Sequence, residues 1–332
     1  MSRYAEAHKN PNGPGDARPT ALQIVQDEGR EGTMKDKVFF VTGCTSGIGV
    51  ETARALAATG GRVFMLVNDL DNGKEACAAF LEPGRVELIE GDLASLSSVR
   101  SAAAEFREKS GGVLNVLVCN AGVMYIPKRE ESPDGFETHL ATNYLGHFLL
   151  FWLLRDLMLK SSRPEFNSRL VHVASASHQV IEIDFDDINF TKDGAYKPKD
   201  AYGQSKLAQI YMANQVDRLY GSQGIHAYSL MPGGIQTRIT RFVPAAITEK
   251  MMAESEFLQK WFKSPEQGAG TTVIAALGKE WEGRGGVYLE DCEVAKSQPL
   301  IPSVKGVTDY AFDQEKEEKL WKYTVEALEL ED

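Results

Sequence analysis

The sequence predicts an α/β protein built on a doubly wound parallel sheet, and three observations carry that expectation. From Lys37 onward, short apolar runs alternate with helical segments. Most of those runs lack the apolar–polar alternation of a half-exposed strand, as expected for strands covered on both faces. A glycine-rich turn joins the first run to the helix that follows it. Strands alternating with helices mean βαβ units and a sheet with helices on both sides.

The runs at 38–41, 62–67, 86–89, 113–119, 170–174 and 224–230 read as strands, and 286–289 as a seventh that closes the sheet. Helical patterns occupy 48–59, 72–81, 96–109, 136–159 and 201–220. No internal repeat and no linker divides this region, so 37–300 is expected to be one domain. Residues 1–36 form an N-terminal extension whose first eighteen residues, with Asn10-Pro11-Asn12-Gly13-Pro14-Gly15, are turn formers expected to fray. A short helical arm follows Pro19, with Leu22, Ile24 and Val25 on its apolar side. Two stretches break the alternation: acidic 180–200, and 232–264, a lid carrying Phe242, Met251, Met252, Phe257, Leu258, Trp261 and Phe262. Long loops inside a compact domain are usually functional.

Composition excludes several classes. With 36 Lys+Arg against 47 Asp+Glu the net charge is −11, and no basic stretch offsets phosphate charge, so a nucleic-acid partner is not expected. Residues 313–332 hold eight acids and three bases, net −5, so nearly half of the excess sits in an acidic C-terminal tail, 301–332, with Leu320, Trp321 and Leu328 on an apolar side. Hydrophobic residues at 43% and charged residues at 25% suit a folded globular chain. No window reaches the ~20 apolar residues of a membrane span. The polar start, Met1 to Asn10, is not a signal peptide. Cys44, Cys77, Cys119 and Cys292 lack C-x-x-C pairing, which suits buried thiols and a cytoplasmic location, not disulfides or a metal site.

Two motifs carry chemistry. Thr42-Gly43-Cys44-Thr45-Ser46-Gly47-Ile48-Gly49 spans the first strand-to-helix turn with the spacing G-x-x-x-G-x-G. Its glycines let the backbone approach a pyrophosphate while the helix N-terminus offers free N–H groups to that anion. Tyr202 and Lys206 lie four apart on one helix face. A phenol near its reference pKa of ~10 is a poor base, and a nearby ammonium favours the phenolate. Asn120-Ala121-Gly122 ends the fourth strand, where Asn120 can tie neighbouring strands and Gly122 permits close approach.

Together with Pro232-Gly233 and Thr237, these motifs occur in the order and near the spacing of the short-chain dehydrogenase/reductase family, which the chain resembles over about residues 37–290. The acidic insert 183–190, the run 201–208 and the late Leu320-Trp321 look most like the branch of retinol dehydrogenases, protochlorophyllide reductases and the WW-domain oxidoreductase. The resemblance implies a Rossmann-type fold, a nicotinamide cofactor and a four-residue site. Tyr202 would be the general acid/base, and Lys206 would lower its pKa and bond the nicotinamide ribose. Ser175 would bond the substrate oxygen, and Asn143 would hold a water linking Lys206 to solvent. His147 and His178 are expected to be structural or substrate-lining. Two departures are visible: 27 positions separate Ser175 from Tyr202, the insert accounting for the excess, and Ala174 stands where a Ser is frequent.

Position 67, where an acid would select NAD, is Val67, and Asn68 falls where an Arg selecting NADP is usual in this branch. The missing acid leaves room for a phosphate near Asn68, Thr45 and Ser46, although Asp69 is adjacent and the sequence shows no obvious cation there. NADP(H) is favoured, with NAD(H) as the alternative. Asp92 would contact the adenine side, and Pro232, Gly233 and Thr237 would shape the nicotinamide pocket. The expected activity is hydride transfer between nicotinamide and a carbonyl or secondary alcohol of an apolar, bulky small molecule. The alternatives are reduction of a C=C or imine bond, or a nucleotide-binding regulatory or interaction protein. A homodimer through helices 136–159 and 201–220 is possible on the family pattern unless the tail covers them.

Overall fold

The computed structural model describes residues 2–297 and 304–331; the expected domain boundary at 300/301 and the side chain of Met251 lie outside the described residues. Strands β1 (Val38–Thr42), β2 (Arg62–Val67), β3 (Val86–Glu90), β4 (Val116–Cys119), β5 (Ser168–Val173), β6 (Ile225–Met231) and β7 (Val287–Glu290) are joined by a two-residue β8 (Glu293–Val294). Their order is β3-β2-β1-β4-β5-β6-β7-β8. All neighbours up to β7 pair in parallel, and β8 runs antiparallel to β7. The sheet therefore has the seven expected strands plus one short edge strand. Along β1, Val38 and Phe40 enter one core and Phe39 and Val41 the other, all buried. The unbroken apolar runs are thus period-two strands with a core on each face.

Helices α1 (Ala21–Asp27), α2 (Ile48–Ala58), α3 (Leu70–Cys77) and α4 (Leu96–Ser110) precede a divided helix. The expected single helix at 136–159 is α5 (Thr138–Leu140), a π turn (Ala141–Leu145) and α6 (Gly146–Ser161). Then come α7 (Pro198–Tyr220), α8 (Ala245–Glu254), α9 (Glu256–Trp261), α10 (Pro265–Gly268), α11 (Gly270–Leu277) and α12 (Gln314–Ala327). β4 starts three residues later than expected, and just before it the Asn115 side chain accepts from the Val38 N–H at 3.0 Å.

The N-terminal segment, expected to fray, is packed. Arg18 is 3% exposed. Its guanidinium donates to the Trp261 carbonyl at 2.7 Å and the Phe262 carbonyl at 2.6 Å, and pairs with Asp16 at 2.8 Å. A planar cation with several donors satisfies the orphan carbonyls at the end of α9, a contact that apolar periodicity does not report. In α1, Ala21 with Ile24 and Val25 forms the buried side, and Leu22 is exposed. The lid at 232–264 is ordered into a short 3-10 turn (Arg238–Phe242), α8 and α9. Its apolar residues divide: Trp261 is buried, whereas Phe242 and Phe257 are exposed.

The tail helix α12 lies on α6 and α7. Trp321 meets Phe148 (4.8 Å between ring centroids) and Trp152 (6.1 Å), Tyr144 Oη bonds Thr324 at 2.7 Å, and buried Glu317 pairs with Arg218 and accepts from Asn214 at 2.7 Å. This chain thus covers its own α6–α7 surface, the one that a family-type homodimer would use. Leu320, 1% exposed, anchors this cover. Leu320→Ala is expected to cost about 3 kcal/mol in a urea unfolding titration.

Candidate active site

The order of the sheet reverses between β1 and β4, and a crevice opens there beyond the strands' carboxyl ends. At its floor β1 runs into the glycine loop. Gly43 and Gly47 have φ of +77° and +63°. A side chain on Gly49 would strike the Gly43 carbonyl at 2.3 Å. Gly47 caps α2 without any side-chain hydrogen bond. The first N–H groups of an eleven-residue helix therefore face the cleft unclaimed by a cap, as an anion site requires.

Asn120 ties β4 to β1: its Nδ2 donates to the Thr42 carbonyl at 2.8 Å and its N–H to Thr42 Oγ1 at 2.9 Å. Thr42 Oγ1 also accepts from the Ala121 N–H at 2.9 Å and bonds His147 Nε2 at 2.8 Å. His147 Nδ1 lies 2.9 Å from the Asn143 carbonyl, which only accepts, so Nδ1 carries the proton and Nε2 receives the threonine hydroxyl. Burial lowers the His147 pKa to about 4, so the ring is neutral. His178 is buried on the Ser175 carbonyl at 2.7 Å, with its pKa likewise lowered to about 4 by burial. Both histidines are structural.

Ser175 follows β5, and its Oγ accepts from the Ser177 N–H at 3.1 Å. Tyr202 and Lys206 stand on α7, 4% and 2% exposed. Lys206 Nζ is 5.6 Å from the Tyr202 ring centroid. Burial pushes the Tyr202 phenol well above its ordinary pKa, and a hydrogen bond with Ser175 partly offsets this. Burial alone lowers the Lys206 ammonium to about 7. The protein by itself therefore presents a protonated phenol beside a lysine that titrates near neutrality. This pair is suited to giving up a proton and then stabilising the phenolate left behind.

One cleft of about 550 Å³ collects Gly43, Thr45, Ser46, Ile48, Gly49, Asn68, Asp92, Asn120, Ala121, Gly122, Ser175, Tyr202, Lys206, Pro232, Gly233 and Thr237. Two expected residues do not line it. Gly47 supports it from behind, where a Cβ would meet Thr237 at 2.7 Å. Asn143 is fully buried, its amide bonded to both main-chain groups of Val123 and to Ser205 Oγ. Asp92 also caps its own turn, accepting from the Ala94 N–H at 2.9 Å.

Of the residues that sequence reasoning missed, three bear directly on the chemistry or the support of the site. Arg238 lines the end of the cleft that holds Asn68, Asp69 and Asn72, and its charge helps to hold the Asp69 carboxyl below its usual range after hydrogen bonding from Asn72. Lys263, 3% exposed, donates to the Pro232 carbonyl at 3.2 Å and pairs with Asp291 at 2.8 Å, fastening the end of the lid. Gln209 bonds Lys206 directly, at 2.9 Å. Position +3 after Lys206 was the one available signal, because it shares the helix face.

A family model described as short chain dehydrogenase matches residues 37–184. The chain is 54% identical over 329 residues to the short-chain dehydrogenase/reductase prx1 of Penicillium roqueforti, covering 99% of this chain and 95% of that protein. It is 36% identical over 300 residues to a human polyprenol dehydrogenase, covering 88% and 84%. A crystal structure of an uncharacterised protein from Mycobacterium paratuberculosis superposes with a TM-score of 0.68 at 27% identity, covering 92% of this chain and 97% of that one. With a βαβ sheet, a glycine loop at an uncapped helix and these relatives, the chain belongs to the short-chain dehydrogenase/reductase family of oxidoreductases.

Proposed function

We propose that this protein is an NAD(P)(H)-dependent oxidoreductase that moves hydride between the nicotinamide and a carbonyl or secondary alcohol carbon. One observation carries the reading: Ser175, Tyr202 and Lys206 stand in the same cleft as the unclaimed N-terminus of α2. The glycine loop and α2 would hold the pyrophosphate, and Lys206 and Asn120-Ala121-Gly122 the nicotinamide half. When bound, the dinucleotide supplies the hydride chemistry. Ser175 donates a hydrogen bond to the substrate oxygen as charge develops on it. Tyr202, held protonated by burial, delivers its proton to that oxygen in the reductive direction. The Lys206 ammonium then stabilises the phenolate.

NADP(H) is the favoured cofactor. Position 67, the last residue of β2, carries no acid, and Arg238, contributed by the lid, brings a cation to the end of the cleft that holds Asn68 and Asp69. An arginine there suits a 2′-phosphate through charge-assisted hydrogen bonds. The substrate is apolar and bulky. Beside the cleft lies a second hollow of about 620 Å³ that shares Gln236, Thr240, Arg241 and Thr248 with it, and whose other walls set Pro127, Phe242, Val243, Pro244 and Ala245 beside Glu249. The 36% identity to a polyprenol dehydrogenase supports the same substrate chemistry.

Tyr202→Phe is expected to bind NADPH within about threefold of wild type yet lose about 10²–10⁴-fold in kcat against a panel of aromatic ketones and long-chain isoprenoid aldehydes; retained turnover would refute the role of Tyr202. Arg238→Glu should weaken NADPH binding about tenfold or more, as loss of a charged hydrogen bond implies, with NADH affinity nearly unchanged in a fluorescence titration.

A further inference from the structure

The family's water-holding position is filled here by protein. The Asn143 carbonyl has two lone pairs, and two side-chain donors approach it: His147 Nδ1 at 2.9 Å and Gln209 Nε2 at 2.8 Å. The amide of Asn143 is engaged as well. Its Oδ1 accepts from the Val123 N–H at 2.8 Å, and its Nδ2 donates to the Val123 carbonyl at 3.0 Å and Ser205 Oγ at 2.9 Å.

Gln209 is fully buried and its amide can stand only one way round. The Asn143 carbonyl is a pure acceptor, so Nε2 must face it, at 2.8 Å, and Oε1 is left to accept from Lys206 Nζ, at 2.9 Å. Lys206 Nζ also donates to the Val173 carbonyl at 2.8 Å. Two of its three N–H bonds are thereby held by β5 and α7, which leaves the third for the cleft that Lys206 lines.

We propose that Gln209 is a positioning residue of this site, which aims Lys206 into the cleft and closes the route from Lys206 to the Asn143 carbonyl against a proton-carrying water. A carboxamide does not take up or release protons near neutral pH, so Lys206 acts through its charge, and proton exchange with Tyr202 runs through the open cleft. The inference rests on the dehydrogenase reading above. The titratable groups facing Lys206 are Tyr202 on its own helix, His147 on α6 and His172 on β5. Burial keeps both histidines neutral and Tyr202 protonated through the neutral range, so Lys206 is the member of this group that titrates there.

The test is NADPH affinity by fluorescence titration across about pH 6–9, where a Lys206 ammonium strengthens binding and its loss weakens it. The ligand's own phosphate titration is common to every variant and cancels in the comparison. Gln209→Leu removes an acceptor from the ammonium, lowers its pKa and should move the fall in affinity about one pH unit downward. Gln209→Glu places a carboxylate beside the ammonium and should move it upward. Opposite shifts in two variants with native circular dichroism are not produced by loosened packing. Lys206→Met should abolish the pH-dependent fall. If Lys206→Met does so while both Gln209 variants titrate as wild type, the proposal for Gln209 is overturned and the dehydrogenase reading stands. If wild type binds neither NADPH nor NADH, or Lys206→Met titrates as wild type, that reading falls and this one with it.

Discussion

A hydrogen-bonded seam at the switch point of the sheet is the constraint on which the site depends. Thr42 Oγ1, at the end of β1, takes the N–H groups of Asn120 and Ala121 from β4 and bonds His147 from α6. His147 passes the seam to the Asn143 carbonyl, Gln209 to Lys206, and Lys206 to the Val173 carbonyl of β5. The strands β1, β4 and β5, the π turn, α6 and α7 are set against one another by groups that are mostly buried. In such surroundings a missing partner costs the full desolvation of the group left behind, about 1–3 kcal/mol or more, so the seam tolerates few arrangements. The π turn at Ala141–Leu145 fits this reading, since it brings the Asn143 carbonyl within reach of two side chains instead of leaving a regular helix.

Burial decides the charge states around that seam. It holds His147 and His172 neutral, keeps Tyr202 protonated and brings Lys206 to about 7. The residue types alone suggest an ammonium that drags a phenol downward. In the folded protein, desolvation acts on both partners first, and it penalises the charged form of each. Burial therefore drives the two pKa values apart, that of Tyr202 upward and that of Lys206 downward.

Both ends of the chain pack against the core. Arg18 and the turn-rich N-terminal segment fasten the end of α9. Lys263, Lys305 and His8 surround Asp291, whose carboxyl the two ammonium groups hold well below its usual range despite burial. A buried cluster of this kind adds little net stability because desolvation offsets attraction, but it fixes which segments lie together. Here it joins the N-terminus, the lid's last residue pair and the stretch after β7. On the opposite side α12 covers α6 and α7 with aromatic contacts and the Glu317–Arg218 pair.

The sheet, the glycine loop and the Tyr202–Lys206 pair are legible in the sequence because they are local: apolar runs report strands buried on two faces, glycine spacing reports a tight turn before a helix, and Tyr202 and Lys206 share a helix face by periodicity. What tertiary structure decided are contacts between polar side chains distant in the chain, which leave no periodic trace. Asn143 carries the motif yet does not line the cleft, because its amide is engaged with the Val123 main chain and Ser205 Oγ. Arg238 brings a cation near Asp69 that the neighbourhood of Asn68 lacks in sequence, because the lid carries it to that end of the cleft. Gln209 looks like any polar residue of a long helix until its two amide atoms are seen between Lys206 and Asn143. The N-terminal segment lacks apolar periodicity and is held by the Arg18 guanidinium on the carbonyls of Trp261 and Phe262 and by Gln267 on Gly15, Asp16 and Arg18, interactions whose geometry exists only after the chain has folded.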